Sequence, residues 1–166
     1  TLTEEVRKVI AESDVLIGAT RMLEGFLGKK KCYYAEYLPE KIRAILDEQE
    51  EKTRCTVLFS GDTGFYSGCR KLYVALQETI AAGALNAGVQ ILPGISSVVS
   101  LAARVGESYE DAAILSMHGK KLNRLSATVE SHEKVFLLTS GSEDIRKIGR
   151  LLAEVGLTDC EVTVGY

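Results

Sequence analysis

Short apolar runs alternate with amphipathic stretches along almost the whole chain, and this alternation restricts the fold more than any other feature. Strand-like runs occupy Asp14–Gly18, Lys31–Tyr34, Cys55–Phe59, Val89–Leu92, Ala112–Met117, Lys134–Thr139 and Glu161–Val164. Between them lie helical patterns: Thr3 to Ala11, Arg21–Phe26, Pro39–Glu51, about Phe65 to Ala82, Val98 to a stop at Gly106, Leu122–Ser131 and Glu143–Val155. Strands joined through helices run parallel and are covered on both faces, so they read as unbroken apolar runs rather than as alternating ones. The pattern predicts an α/β chain with a mainly parallel sheet.

With 166 residues, 46% of them hydrophobic, the chain can bury a substantial core in one domain or two small ones. The polar link Gly106-Glu107-Ser108-Tyr109-Glu110 follows a helix end, which divides the chain into an N-terminal α/β domain, 1–107, and a C-terminal one, 108–166. A formal net charge of −3 supplies no general attraction to nucleic acid or to an anionic membrane. The apolar runs are too short to span a bilayer and the first residues lack the apolar core of a signal peptide, so a cytoplasmic protein is expected. Cys32, Cys55, Cys69 and Cys160 form no C-x-x-C pair and no zinc-ligand spacing with His118 or His132, so no metal site is read. They read as free thiols, although the start of the helix around Cys69 is a place where a helix dipole lowers a thiol pKa.

Two strand-to-helix turns carry the binding chemistry. The first is Ser60-Gly61-Asp62-Thr63-Gly64-Phe65-Tyr66 and the second is Pro93-Gly94-Ile95-Ser96-Ser97. In an open α/β sheet ligands collect beyond the carboxyl ends of the strands, where glycine permits positive φ and lets backbone approach the ligand. Both turns follow strands of the first half and are expected to open on one edge of one sheet, a setting suited to a nucleoside-like ligand. Asp62 would accept from a ribose or an amine, and Ser60, Ser96 and Ser97 would donate or accept. The alternative for Asp62, Ser96 and Ser97 is that each caps the helix that follows it. No G-x-G-x-x-G, G-x-x-x-x-G-K-[ST] or G-x-S-x-G pattern occurs, which disfavours dinucleotide, P-loop and α/β-hydrolase chemistry. His118, followed by Gly119-Lys120-Lys121, reads either as a contact for an acidic substrate or as a solvated turn residue.

Together these pieces resemble the tetrapyrrole methylases, enzymes that use S-adenosylmethionine. The resemblance rests on Asp14-Val15-Leu16-Ile17-Gly18 after a Leu2-Thr3 helix start, Ser60-Gly61-Asp62 followed by Gly64-Phe65-Tyr66, Pro93-Gly94-Ile95-Ser96-Ser97, and Val135-Phe136-Leu137-Leu138 with Gly156-Leu157. Arg21, Ser116-Met117-His118-Gly119 and Leu137-Leu138-Thr139-Ser140 look most like the branch called precorrin-6Y methylase or cobalt-precorrin-7 (C5)-methyltransferase, of cobalamin biosynthesis.

The resemblance implies two α/β domains with the methyl donor between them, a tetrapyrrole substrate, and a homodimer, with a C15-methylating and decarboxylating partner either fused or separate. By motif it assigns the donor to Ser60, Gly61, Asp62 and Phe65, with Ser96 and Ser97 beside them and Leu138 from the second domain. It assigns no catalytic residue. Arg21, His118 and Lys120, with Arg104, Lys121 and Arg124, are the cations expected to hold substrate carboxylates. The family's usual Gly-Asp-Pro turn has Thr63 in place of proline, and Lys120 stands where the branch often has arginine. The family's N-terminal strand with its Gly-rich loop, and its last strands, have no counterpart here, so the domains are expected to be incomplete at both ends and these residues to be inactive alone. Alternatives are a family enzyme acting on another ring carbon, on ribosomal RNA or on the modified histidine of an elongation factor, or a non-catalytic nucleotide-binding module.

Overall fold

The computed structural model describes residues 2–28, 32–117 and 124–165. Its contacts group the chain into two compact units, Thr1–Ser96 and Ser97–Tyr166. This grouping differs from the 1–107 and 108–166 division by the helical segment that follows Ser96.

The first unit is organised around strand β1, Val15–Gly18, whose four residues are all buried. It pairs in parallel with β2, Cys32–Ala35, on one side and with β3, Cys55–Leu58, on the other, giving the order β2-β1-β3. Side chains alternate across a strand, and β1 uses both faces. Val15 and Ile17 pack with Ile42 of α3 (Pro39–Asp47) and Leu72 and Leu76 of α4 (Cys69–Ala81). Leu16 packs on the opposite face with Ile10 of α1 (Glu4–Glu12) and Leu23 of α2 (Thr20–Leu23). A central strand sandwiched between helices must be apolar throughout, which is why Val15-Leu16-Ile17 shows no polar alternation. Leu16 and Ile17 are 0% exposed, and burial of each contributes about 1.5–3 kcal/mol.

Local chemistry sets the helix ends. Thr3 Oγ1 accepts from the Val6 amide at 3.3 Å, with Glu4 and Glu5 in the first turn of α1. Pro39 opens α3, where its missing N–H costs no helical bond. At the far end of α1, Ser13 Oγ donates to the Val9 carbonyl and shares a short hydrogen bond with Thr56 Oγ1 of β3. The Asp14 carboxylate accepts from the Arg54 amide at 2.9 Å. These bonds fix where β1 and β3 begin.

Two expected strands do not form. Val89–Leu92 carries no ladder, although Leu85 and Val89 pack against the core formed by Val15 and Ile17. Instead, Cys55–Gly61 and Ala84–Ile95 both line a cavity of about 740 Å3, and the edge of β3 away from β1 has no strand neighbour among the described residues. An apolar run becomes a strand only when backbone groups beside it accept its hydrogen bonds. Glu161–Val164 is unpaired for the same reason, with Val162 60% and Val164 41% exposed. The helix expected to reach Glu51 ends at Asp47.

The second unit contains α5 (Ser97–Val105), β4 (Ala113–Ser116), α6 (Leu125–Ser131), β5 (Val135–Leu138) and α7 (Ser142–Glu154). β4 and β5 are parallel, with Ala113 opposite Val135 and Ser116 opposite Leu138. Leu125, Ile148 and Leu152 form its core against Leu115, Met117 and Leu137, and α5 packs against β5. Among the described residues no helix is long and apolar enough to cross a membrane.

Candidate functional site

The first turn starts where β3 stops pairing at Leu58. Gly61 has φ +72°, a left-handed conformation that favours glycine, and nothing lies within 4 Å of the place its β-carbon would take. Asp62 then folds the chain back on itself: its Oδ1 accepts from the Gly64 amide at 2.7 Å, and its carbonyl accepts from the Phe65 amide at 3.2 Å. This is an Asx turn. Ser60 and Gly61 are exposed, while Asp62 and Phe65 are half-buried.

The helix read from Phe65 begins four residues later, at Cys69. Tyr66, at φ +49°, interrupts the backbone, with its ring edge-on to Phe65 at a centroid distance of 5.0 Å. Ser67 Oγ, rather than Asp62, accepts from the Cys69 amide, at 3.2 Å. Asp62 therefore caps no helix, and that alternative is overturned. The four cysteines are free thiols, as expected, but the lowered thiol pKa expected at Cys69 is overturned. Cys69 is the first residue of α4 but is 8% exposed, and burial pushes its thiol pKa up. Burial removes water from around the sulfur and so disfavours the charged thiolate.

The second turn is packed against the first. A β-carbon on Gly94 would collide with the Gly61 carbonyl oxygen and lie 3.5 Å from the Asp62 amide nitrogen. Thr63 Oγ1 donates to the Leu92 carbonyl at 3.1 Å. The two turns thus meet through backbone at one point and through a side chain at another, which places Gly61, Asp62 and Pro93-Gly94 together. Ser96 is buried, at 6% exposure, and Ser97 is exposed at the start of α5.

The other named residues fall elsewhere. Leu138 ends β5 in the second unit, half-buried and on the strand face opposite Leu137, which belongs to the α6–α7 core. Arg21 is exposed on α2, and Arg104 and Arg124 are exposed in the second unit. His118, Lys120 and Lys121 lie outside the described residues.

The pattern of the sequence passed over two features. Thr63 joins the turns through a backbone carbonyl, and no residue pattern announces a carbonyl partner 29 positions away. Glu36, just past β2, accepts from the Tyr37 and Leu38 amides at 2.8 and 3.1 Å and faces Lys41 Nζ at 3.5 Å. Those amide bonds, more than the lysine, hold its carboxyl below the usual range.

The family model of the tetrapyrrole (corrin/porphyrin) methylases matches residues 1–166. The chain belongs to this family. Among curated tetrapyrrole methylases, it is 30% identical over 151 residues to a probable cobalt-precorrin-7 C(5)-methyltransferase of Methanocaldococcus jannaschii, covering 88% of this chain and 68% of that protein. It is 28% identical over 164 residues to a decarboxylating precorrin-6Y C(5,15)-methyltransferase of a Sinorhizobium species, covering 98% of this chain but 38% of that longer protein. The crystal structure of the methyltransferase CobJ superposes with a TM-score of 0.71 at 19% identity, over 96% of this chain and 71% of CobJ. That likeness establishes the shared fold.

Proposed function

We propose that this tetrapyrrole methylase transfers a methyl group from S-adenosylmethionine to a carbon of a corrin-ring precursor in cobalamin biosynthesis, and that the carbon is C5. The observation that carries the donor reading is the joined pair of turns at Gly61 and Gly94. The C5 reading is supported by the names of the two curated relatives, at 30% and 28% identity.

The residues present fit a nucleoside-like donor. Gly61 leaves open space where a side chain would stand, so a ligand reaches the backbone there. Asp62 uses one carboxylate oxygen on Gly64, and its other oxygen has no hydrogen-bonding partner among the described residues. Ser60 is exposed beside them. The donor supplies a sulfonium methyl group. This chain's own residues hold and align: Gly61 through backbone, Asp62 and Ser60 through polar contacts, Phe65 through its ring, with Ser96, Ser97 and Leu138 assigned to the same ligand by motif. The S–CH3 bond breaks as the C–CH3 bond forms, S-adenosylhomocysteine leaves as a neutral thioether and the positive charge passes from sulfur to the ring, so the part of these residues is proximity, alignment and a dry cleft. Arg21, His118 and Lys120 are assigned to the carboxylates of the macrocycle, and the working unit is a homodimer in the cytoplasm.

Calorimetric titration with S-adenosylhomocysteine tests the donor site, and a methylation assay with the ring position read by NMR tests the substrate. Saturable binding and a methyl group on C5 support the whole reading. Methylation elsewhere on the ring overturns only the C5 assignment, and absence of donor binding by the protein in its full length overturns the methyltransferase reading.

A further inference from the structure

Thr63 stands in the middle of the first turn, yet its hydroxyl makes its bond to the second. Oγ1 donates to the Leu92 carbonyl at 3.1 Å, immediately before Pro93-Gly94. Leu92 lies in the stretch 82–96, which has neither helix nor ladder to hold it. Its carbonyl therefore depends on side chains or solvent for a partner. Thr63 is half-buried and lines the same cavity as Leu92, so the bond lies in a partly water-excluded place.

We infer that Thr63 is a positioning residue that couples the two turns, setting the distance between Gly61-Asp62 and the Gly94–Ser96 segment. The backbone contact of Gly94 on the Gly61 carbonyl prevents the turns from moving closer together. The Thr63 bond prevents them from moving apart. A steric stop and a hydrogen bond acting in opposite senses fix a separation that neither fixes alone. No sheet ladder joins β3, before the first turn, to the segment before the second, because Val89–Leu92 is unpaired. A proline at position 63 would stiffen the first turn but would carry no hydroxyl, so it could not reach across to the second. For the ligand readout the inference rests on the donor reading above. The coupling itself does not.

The test compares Thr63→Val, which keeps the shape and loses the hydroxyl, with Thr63→Ser, which keeps the hydroxyl. Amide hydrogen exchange is followed in both turns, 61–65 and 92–96, alongside S-adenosylhomocysteine titration. Thr63→Val is expected to speed exchange in 92–96 as well as in 61–65, and Thr63→Ser to restore both. If the lost bond is worth about 1 kcal/mol, donor affinity falls roughly fivefold in Thr63→Val and returns in Thr63→Ser. Faster exchange confined to 61–65, or equal loosening in both variants, overturns the inference. If the unsubstituted protein binds no donor, the donor reading fails and exchange alone decides the coupling. If it binds donor and Thr63→Val binds equally well while 92–96 stays protected, the donor reading survives and the role of Thr63 does not.

Discussion

Gly94 sits directly over the carbonyl of Gly61, with no room between them for a β-carbon. The obstacle is backbone, which cannot swing aside as the end of a side chain can. Gly94→Ala must therefore displace one turn from the other. Overpacking of this kind costs about 1–3 kcal/mol. The expected outcome is a lower midpoint in denaturant with a larger proportional loss of donor binding. Binding kept at full strength would mean that the ligand does not use both turns.

Asp62 separates into two functions that two variants distinguish. Its Oδ1 closes the Asx turn on the Gly64 amide, and it caps no helix. Asp62→Asn keeps an acceptor for that amide and loses the charge, so stability should barely change. Asp62→Ala removes the turn bond as well and is expected to cost about 0.5–1.5 kcal/mol. Both should weaken S-adenosylhomocysteine binding in calorimetry. If Asp62→Asn binds as well as the unsubstituted protein, the carboxylate is only a turn former.

The centre of β1 should be the least tolerant place in the first unit. Leu16 is 0% exposed and packs with Ile10 and Leu23 beneath the sheet. Leu16→Ala leaves a cavity there and is expected to cost about 2–5 kcal/mol in urea unfolding. The same change at exposed Leu27, 59% accessible, should be nearly silent.

Thiol chemistry should follow burial. Burial raises the pKa of Cys69, so the folded state holds its proton more tightly than the unfolded chain does. The stabilising contribution is complete below the ordinary thiol pKa and is lost as pH rises through the raised one. Cys55 behaves in the same direction, through burial first and the nearby Asp14 charge second. Exposed Cys32 and Cys160 should react with a disulfide reagent in the native state, and Cys69 only after unfolding. Unfolding free energy measured on the alkaline side should fall less steeply in Cys69→Ala.

The α/β class and the parallel pairing were legible because β1 and its neighbours are apolar in a way only covered strands are. The turns at Gly61 and Gly94 were legible for a different reason: glycine, aspartate and proline after an apolar run specify where the chain leaves a sheet. Helix length was less so. Phe65 and Tyr66 fit a helical pattern, but the positive φ of Tyr66 and the Ser67 bond to the Cys69 amide delay α4. Val89–Leu92 and Glu161–Val164 have strand composition, and composition cannot reveal whether a neighbouring backbone is there to pair with. The Thr63 bond was invisible because its acceptor is a main-chain carbonyl, which every residue has.

The edge of β3 away from β1, which has no strand neighbour among the described residues, bears on how the protein must be handled. Cys55, Thr56, Val57 and Leu58 present no charge and no proline along that flank, the two devices that commonly discourage edge-to-edge pairing. Solutions of these residues should be sensitive to concentration and freezing, with losses that grow faster than linearly as the protein is concentrated. A lysine in place of Thr56 would protect the edge at the expense of the Ser13 bond, so solubility and the anchoring of α1 draw on the same side chain.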